Sequence, residues 1–173
     1  MPIEDVIYEA EVLLLSGKPE EALMRLKQTG EEGMKDAAVR NKIGVCYVSL
    51  GRTVEAEAEF KAAVAIDKEF APAYTNLGSI NKEKGDVYKA IELYERAMQA
   101  DPTYANAYHN LGVLYNGEKR YDKGIPLIKT AKQLELGKGD IKRGKRKQLL
   151  WRYSWVAIAF VLGAAIIMLT RMK

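Results

Sequence analysis

The 173-residue sequence has very few of the side chains that build catalytic and metal sites. Its only histidine is His109 and its only cysteine is Cys46. Without a second histidine or cysteine the chain cannot assemble a His/Cys zinc site or an internal disulfide. Its glycines do not have the spacing of a phosphate-binding loop. We therefore predict that the protein is not an enzyme and has no catalytic residues, no metal site and no cofactor.

A strong net charge is absent from the N-terminal region, 1–136. The excess of basic residues lies in residues 137–173. Residues 1–136 contain 18 Lys and Arg against 22 Asp and Glu, whereas residues 137–173 contain nine against one. The net charge of +4 therefore combines a mildly acidic region with a basic one. The length suits one domain with an appendage.

A unit of constant length recurs along the acidic region. The positions that repeat at this spacing are Gly44, Gly78 and Gly112; Gly17, Gly51 and Gly85; Ala22, Ala56 and Ala90; and Ala97 and Ala131. The unit that begins at Ala71 is the most regular, with Tyr74, Leu77-Gly78, Ala90, Tyr94 and Pro102 in order. This pattern resembles the tetratricopeptide repeat (TPR).

The resemblance implies an all-α fold, a TPR solenoid of helix hairpins with about four repeats. We place the repeats near 3–36, 37–70, 71–104 and 105–138, within a TPR domain at 1–136. The family resemblance further implies a right-handed superhelix whose concave side is lined by the first helix of each pair. Stacking is required because one helix hairpin cannot bury its apolar face alone.

The fourth unit departs most from the repeat pattern. Lys119 replaces the glycine of the bend, Gly124 replaces the small alanine, and Pro126 comes early in the second helix. Glycine disfavours a helix interior by about 1 kcal/mol relative to alanine, and proline is tolerated only in the first turn. We expect this helix pair to be the least stable.

Asparagines at the repeat spacing indicate a binding groove. Asn76 and Asn110 are one repeat apart and are predicted to stack on one face, where the preceding unit has Lys42. An amide both donates and accepts, which suits the backbone of an extended peptide. The candidate peptide-binding residues are Asn41, Lys42, Thr75, Asn76, Ser79, Asn106, His109 and Asn110. The Lys, Asn and Arg set of carboxylate-clamp TPRs is incomplete here, so that ligand is not predicted.

A long uncharged run follows the repeats. Residues 153–170 contain no charged side chain, and a helix of that length spans about 27 Å, close to the hydrocarbon thickness of a bilayer. The alternative is a helix that caps the last repeat, but such a helix should have a polar face. We therefore predict a basic juxtamembrane linker at 137–150 and a transmembrane helix at 151–171.

Charge on the two sides of this run predicts its orientation. Seven Lys and Arg precede it and two follow it, which favours a cytoplasmic repeat domain on a single-pass, tail-anchored protein. The compartment would be a bacterial inner membrane or the surface of a eukaryotic organelle. The predicted membrane-interface residues are Lys142, Arg143, Lys145, Arg146, Lys147, Trp151, Arg152, Tyr153 and Trp155.

The basic run and the repeats each leave alternatives open. The run either only sets the topology or also binds anionic lipid headgroups, and nucleic acid is disfavoured because no aromatic residues are interleaved with the cations. For the whole protein, the first hypothesis is a membrane-anchored adaptor that binds a protein or extended peptide in the groove. The second is a self-associating structural protein that organises or divides a membrane.

Overall fold

The computed structural model describes residues 2–137, and all of the regular structure in that range is helical. Eight helices have the bounds α1 Ile3–Leu15, α2 Pro19–Lys27, α3 Gly30–Gly33, α4 Ala37–Ser49, α5 Thr53–Ile66, α6 Ala71–Glu83, α7 Val87–Ala100 and α8 Ala105–Gly117. A further helix, α9, covers 121–137. Residues up to Lys132 form one compact unit.

The helices are arranged in four consecutive pairs. In the first three, α1 packs on α2, α4 on α5, and α6 on α7, while α8 and α9 form the fourth. The second helix of each of the first three pairs also packs on the first helix of the next one. The first helices begin at residues 3, 37, 71 and 105, so the spacing between them is constant. The short helix α3 interrupts this regularity and is not among the elements predicted from the sequence.

In the second and third pairs, the two helices approach closely at a glycine of the first helix. A Cβ atom on Gly44 would lie 2.5 Å from the ring of Phe60, and one on Gly78 would lie 2.6 Å from the ring of Tyr94. Phe60 and Tyr94 are both fully buried. The glycines therefore make room for the large aromatic side chains that fill the core of these two pairs.

The bends between paired helices need a left-handed backbone. Gly17, Gly51 and Gly85 have φ angles between +72° and +82°, which glycine adopts at little cost. In the fourth pair Lys119 takes the same conformation, with φ of 60°. The geometry of the bend is thus retained where the sequence lacks its glycine, and the lysine there bears a strain of about 1 kcal/mol.

The structure gives Gly124 a different role from the one predicted from the sequence, in which it is a weak substitute for alanine. A Cβ atom there would lie 2.0 Å from Asn116 Oδ1 and 2.7 Å from the carbonyl oxygen of Gly112. The fourth pair therefore brings two glycines together and leaves no space for the alanine of the other repeats. Pro126 is also not in the first turn, because α9 begins at residue 121. Its missing N–H removes one hydrogen bond from the second turn.

The C-terminal predictions fall almost entirely beyond the described residues. The predicted transmembrane helix at 151–171, and all but the first residue of the predicted linker at 137–150, lie outside the range 2–137. Within that range, no helix is both long enough and apolar enough to cross a bilayer.

Candidate peptide-binding face

The first helices of the four pairs present one surface, which we call the first-helix face. Tyr8, Lys42, Asn76 and Asn110 occupy the same position, the sixth residue, in α1, α4, α6 and α8. Because these helices begin at a constant spacing, equivalent side chains project in the same direction from successive helices. The predicted asparagine ladder lies on this face.

Two polar contacts connect neighbouring helices across the face. Asn76 Nδ2 donates a hydrogen bond to Asn41 Oδ1 over 2.8 Å, joining α6 to α4. Lys42 Nζ lies 2.5 Å from Glu11 Oε1, joining α4 to α1. The structure thus brings Asn41 and Asn76 together, while Lys42 contacts the preceding first helix. It also commits the amide nitrogen of Asn76 and the Lys42 ammonium to partners within the chain.

Two of the predicted groove residues are buried and offer little to a ligand. Asn41 accepts the bond from Asn76, and its side chain is almost inaccessible. The buried Thr75 donates its hydroxyl to the backbone carbonyl of Ala71 over 3.1 Å. The Asn41 oxygen and the Thr75 hydroxyl are thus both bonded within the chain. A ligand there would therefore meet Asn76 rather than these neighbours.

Ser79 is only half-buried, and its hydroxyl is shared between two contacts. Its Oγ lies 3.1 Å from the Thr75 carbonyl oxygen and 3.2 Å from the Tyr94 hydroxyl. Burial raises the pKa of the Tyr94 hydroxyl, which keeps it neutral and able to donate to Ser79. Ser79 thus links the face to the core of the third pair.

Among the first helices, α8 of the fourth pair carries the most accessible polar groups. Asn106 and His109 are exposed, and Asn110 is half-buried. Asn106 Nδ2 contacts the Tyr104 hydroxyl at 3.3 Å. The side chain of Asn110 makes no hydrogen bond to any residue of the described part of the chain. Its amide is therefore available to donate to and accept from a bound peptide backbone.

Exposed apolar side chains on the same face were not predicted from the sequence. They are Tyr8 and Leu15 on α1, Val48 on α4 and Val113 on α8. The signal was present, because Tyr8 occupies in the first unit the position that Lys42 occupies in the second. The face therefore combines amides that can hydrogen-bond to a backbone with apolar patches that can receive side chains.

The side chains that could supply reactive or metal-binding groups are dispersed or buried. Within 2–137 no group of three or more His, Cys, Asp and Glu side chains could hold a metal ion. Cys46 is fully buried, and this burial raises the pKa of its thiol to about 11. The thiol is consequently protonated at neutral pH and is a poor nucleophile.

The predicted membrane-interface residues, from Lys142 to Trp155, lie beyond the described residues. Their assignment stays a prediction from the sequence.

Comparison with protein families places repeats of one kind along most of the described chain. Family models described as tetratricopeptide repeat match residues 13–79 and 105–136, and one described as TPR repeat matches 80–117. Together they extend from residue 13 to residue 136. The mouse (Mus musculus) BBSome complex member BBS4 is 31% identical over 87 residues, which are half of this chain and 16% of that protein. The chain thus matches only about one sixth of that relative.

Solved structures have the same arrangement of helices. A crystal structure of MamA matches with a TM-score of 0.62 and 25% identity, covering 80% of this chain and 81% of that one. YrrB, described as a TPR protein with an unusual peptide-binding site, matches with a TM-score of 0.56 and 20% identity, covering 72% and 64%. The predicted all-helical repeat solenoid is confirmed by these matches.

Proposed function

The repeat region of this chain belongs to the tetratricopeptide repeat family, and from that premise we propose that the protein is a non-catalytic adaptor anchored in a membrane. Repeats of this family mediate protein–protein interaction and bind proteins or peptides in their groove. The adaptor captures an extended peptide segment of a partner on its first-helix face. Residues 151–171 hold it at the cytoplasmic side of the membrane.

The observation that carries the binding role is the row of equivalent positions on the first helices. Asn76 and Asn110 lie on neighbouring helices at the same position, and the Asn110 amide has no partner in the described structure. Val113 on α8 and Val48 on α4 provide exposed apolar surface nearer the C-terminal ends of the first helices than these amides. A peptide in an extended conformation would hydrogen-bond to the amides and place apolar side chains on the valines.

The binding site is tested with peptides selected from a random displayed library on the full-length protein. Replacing both Asn76 and Asn110 with alanine is expected to weaken binding of the selected peptides about thirtyfold, because each of the two lost hydrogen bonds contributes about 1 kcal/mol. Fluorescence anisotropy of labelled peptides measures the change.

Gln28 and Gln99 provide a matched control, because both are exposed amides on or beside second helices. The Gln28→Ala/Gln99→Ala variant should bind the same peptides as tightly as the wild type. Circular dichroism must show that both variants keep their helix content. Equal binding by the asparagine variant and the wild type would remove the site assignment, while the repeat fold would stand.

Membrane attachment rests on the sequence of the C-terminal region. Its uncharged run has the length of a bilayer span, and cations and aromatic side chains flank it. The full-length chain should float with lipid vesicles in a density gradient, and a chain ending at residue 136 should remain at the bottom. Full-length protein that stays at the bottom in high salt and in low salt would contradict the anchor.

A further inference from the structure

Within residues 2–137, each end of the repeat array shows one helix fewer beside it than an internal pair has. Inside the array α2 packs on α4, α5 on α6, and α7 on α8. Within the described residues, α1 has no preceding second helix and α9 has no following first helix. The side chains that pack between internal pairs have equivalents at the two ends. These equivalents indicate what kind of surface each end could bind.

The end formed by α9 carries an apolar surface suited to a following helix. In α7, Val87 and Ile91 pack against the buried cluster that contains Leu114 of α8. The residues one repeat later are Tyr121 and Ile125, and they are 54% and 60% exposed. Tyr121 and Ile125 thus keep the apolar character of Val87 and Ile91, although no residue of the described chain covers them.

The end formed by α1 is the counterpart surface and is partly acidic. In α8 the positions that receive α7 include Ala107, Leu111 and Leu114, all buried. The equivalent residues of α1, given in the same order, are Asp5, Glu9 and Val12. Asp5 and Glu9 are exposed, although Glu9 forms an ion pair with Arg25 of α2. Val12 is 45% exposed where its equivalent in α8 is buried.

Charge and register make these two ends complementary. Beside Ile125, one and two helical turns further on, α9 exposes Lys129 and Lys132. Consecutive helices joined by a short turn run in opposite directions, so the start of a first helix lies beside the end of the preceding second helix. In that register Asp5 would lie near Lys132, and Val12 near Ile125.

We propose that α9 of one copy packs against α1 of a second copy, so that molecules associate head to tail through the same kind of contact that joins their internal repeats. The interface is heterologous, and it extends into linear assemblies unless the rotation between copies closes a ring. It uses the ends of the array and leaves the first-helix face free, so it goes beyond the adaptor role.

The contact is tested by disulfide cross-linking of full-length protein in mild detergent. The wild-type background is suitable because its one thiol, Cys46, is fully buried. A mixture of the Val12→Cys and Ile125→Cys variants is expected to form a cross-linked dimer under mild oxidation. Each variant alone should form little dimer, because the proposed interface never brings two copies of the same residue together.

Two charge variants and a cysteine placed away from both ends test whether the cross-link depends on the proposed contact. The Lys132→Glu change on the Ile125→Cys chain should lower the cross-linking yield about fivefold, and adding Asp5→Lys to the Val12→Cys chain should restore it. Val54 is 79% exposed on α5, away from both ends. A mixture of Val54→Cys with Ile125→Cys should give only the background yield.

Other occupants of the α9 surface give different results, and each would overturn the proposal. Dimers formed by Ile125→Cys alone would indicate a symmetric contact between two α9 helices. If residues 138–173 of the same chain cover the surface, Ile125→Cys will resist maleimide until that segment is removed, and the mixture will not cross-link. A surface that reacts freely with maleimide but yields no cross-linked dimer belongs to a different partner or to none.

Discussion

Replacing Tyr94 with alanine is expected to lower the free energy of unfolding of the repeat domain by about 3–5 kcal/mol. Tyr94 is fully buried between α6 and α7, and its ring fills the space left by Gly78. Its hydroxyl also contacts Ser79 Oγ at 3.2 Å. The substitution leaves a cavity in place of the aromatic ring, because the surrounding backbone cannot move in to fill it. Urea unfolding of residues 1–136, followed by circular dichroism, measures the loss.

Tyr88 provides the matched control on the same helix. It is 89% exposed, so Tyr88→Ala should change the free energy of unfolding by no more than about 0.5 kcal/mol. The Tyr94→Phe variant isolates the hydroxyl and should cost about 1 kcal/mol. Similar losses for Tyr94→Ala and Tyr88→Ala would contradict the packing described for the third pair.

Replacing Gly78 with alanine is expected to lower the free energy of unfolding by about 1–3 kcal/mol, although alanine is the better helix former. The added methyl group would lie 2.6 Å from a ring carbon of Tyr94. Neither partner can move freely, because Tyr94 is fully buried and Gly78 lies inside α6. Either the helices separate or the ring leaves its preferred rotamer. The midpoint of urea unfolding reports this effect.

Gly117 tests the same substitution where no helix approaches. It is the last residue of α8, and a Cβ atom there would meet no atom within 4 Å. Gly117→Ala should therefore leave stability unchanged or raise it by up to about 1 kcal/mol. We therefore expect Gly78→Ala to lower the free energy of unfolding and Gly117→Ala to leave it unchanged or raise it. A stabilising Gly78→Ala change would show that the two helices do not approach as closely as described.

The repeat architecture could be predicted because its signals are local and recur. Gly51 and Gly85 mark bends by their need for a positive φ, and Gly44 and Gly78 mark close helix contacts. Each of these signals depends on backbone geometry, which leaves a direct trace in residue type. The confirmed helical repeat fold follows from that trace.

Other features depend on contacts between distant side chains and could not be predicted in the same way. The sequence marks Asn41 as polar, yet the structure buries it because Asn76 supplies its hydrogen bond. Gly124 looks like a defect in the sequence, whereas in the structure the carbonyl of Gly112 excludes a methyl group there. The helix α3 was missed because it is too short to show a period.

The helices and helix positions of the candidate residues could be predicted from the sequence, but their contacts could not. The constant repeat spacing places Asn76 and Asn110 on equivalent helices, and the structure agrees. The sequence alone could not show that the Thr75 hydroxyl is bonded to the backbone of Ala71. Peptide binding on this face stays a prediction, which the asparagine variants test.

The equal spacing of α4, α6 and α8 has a consequence for how the protein can change over evolutionary time. Duplicating one repeat-length segment of the gene adds a helix pair whose two sides already match its new neighbours. Deleting one leaves a junction of the same type. The length of the recognition surface can therefore grow or shrink in whole modules, so a lineage can adapt to longer or shorter ligands without redesigning its interior.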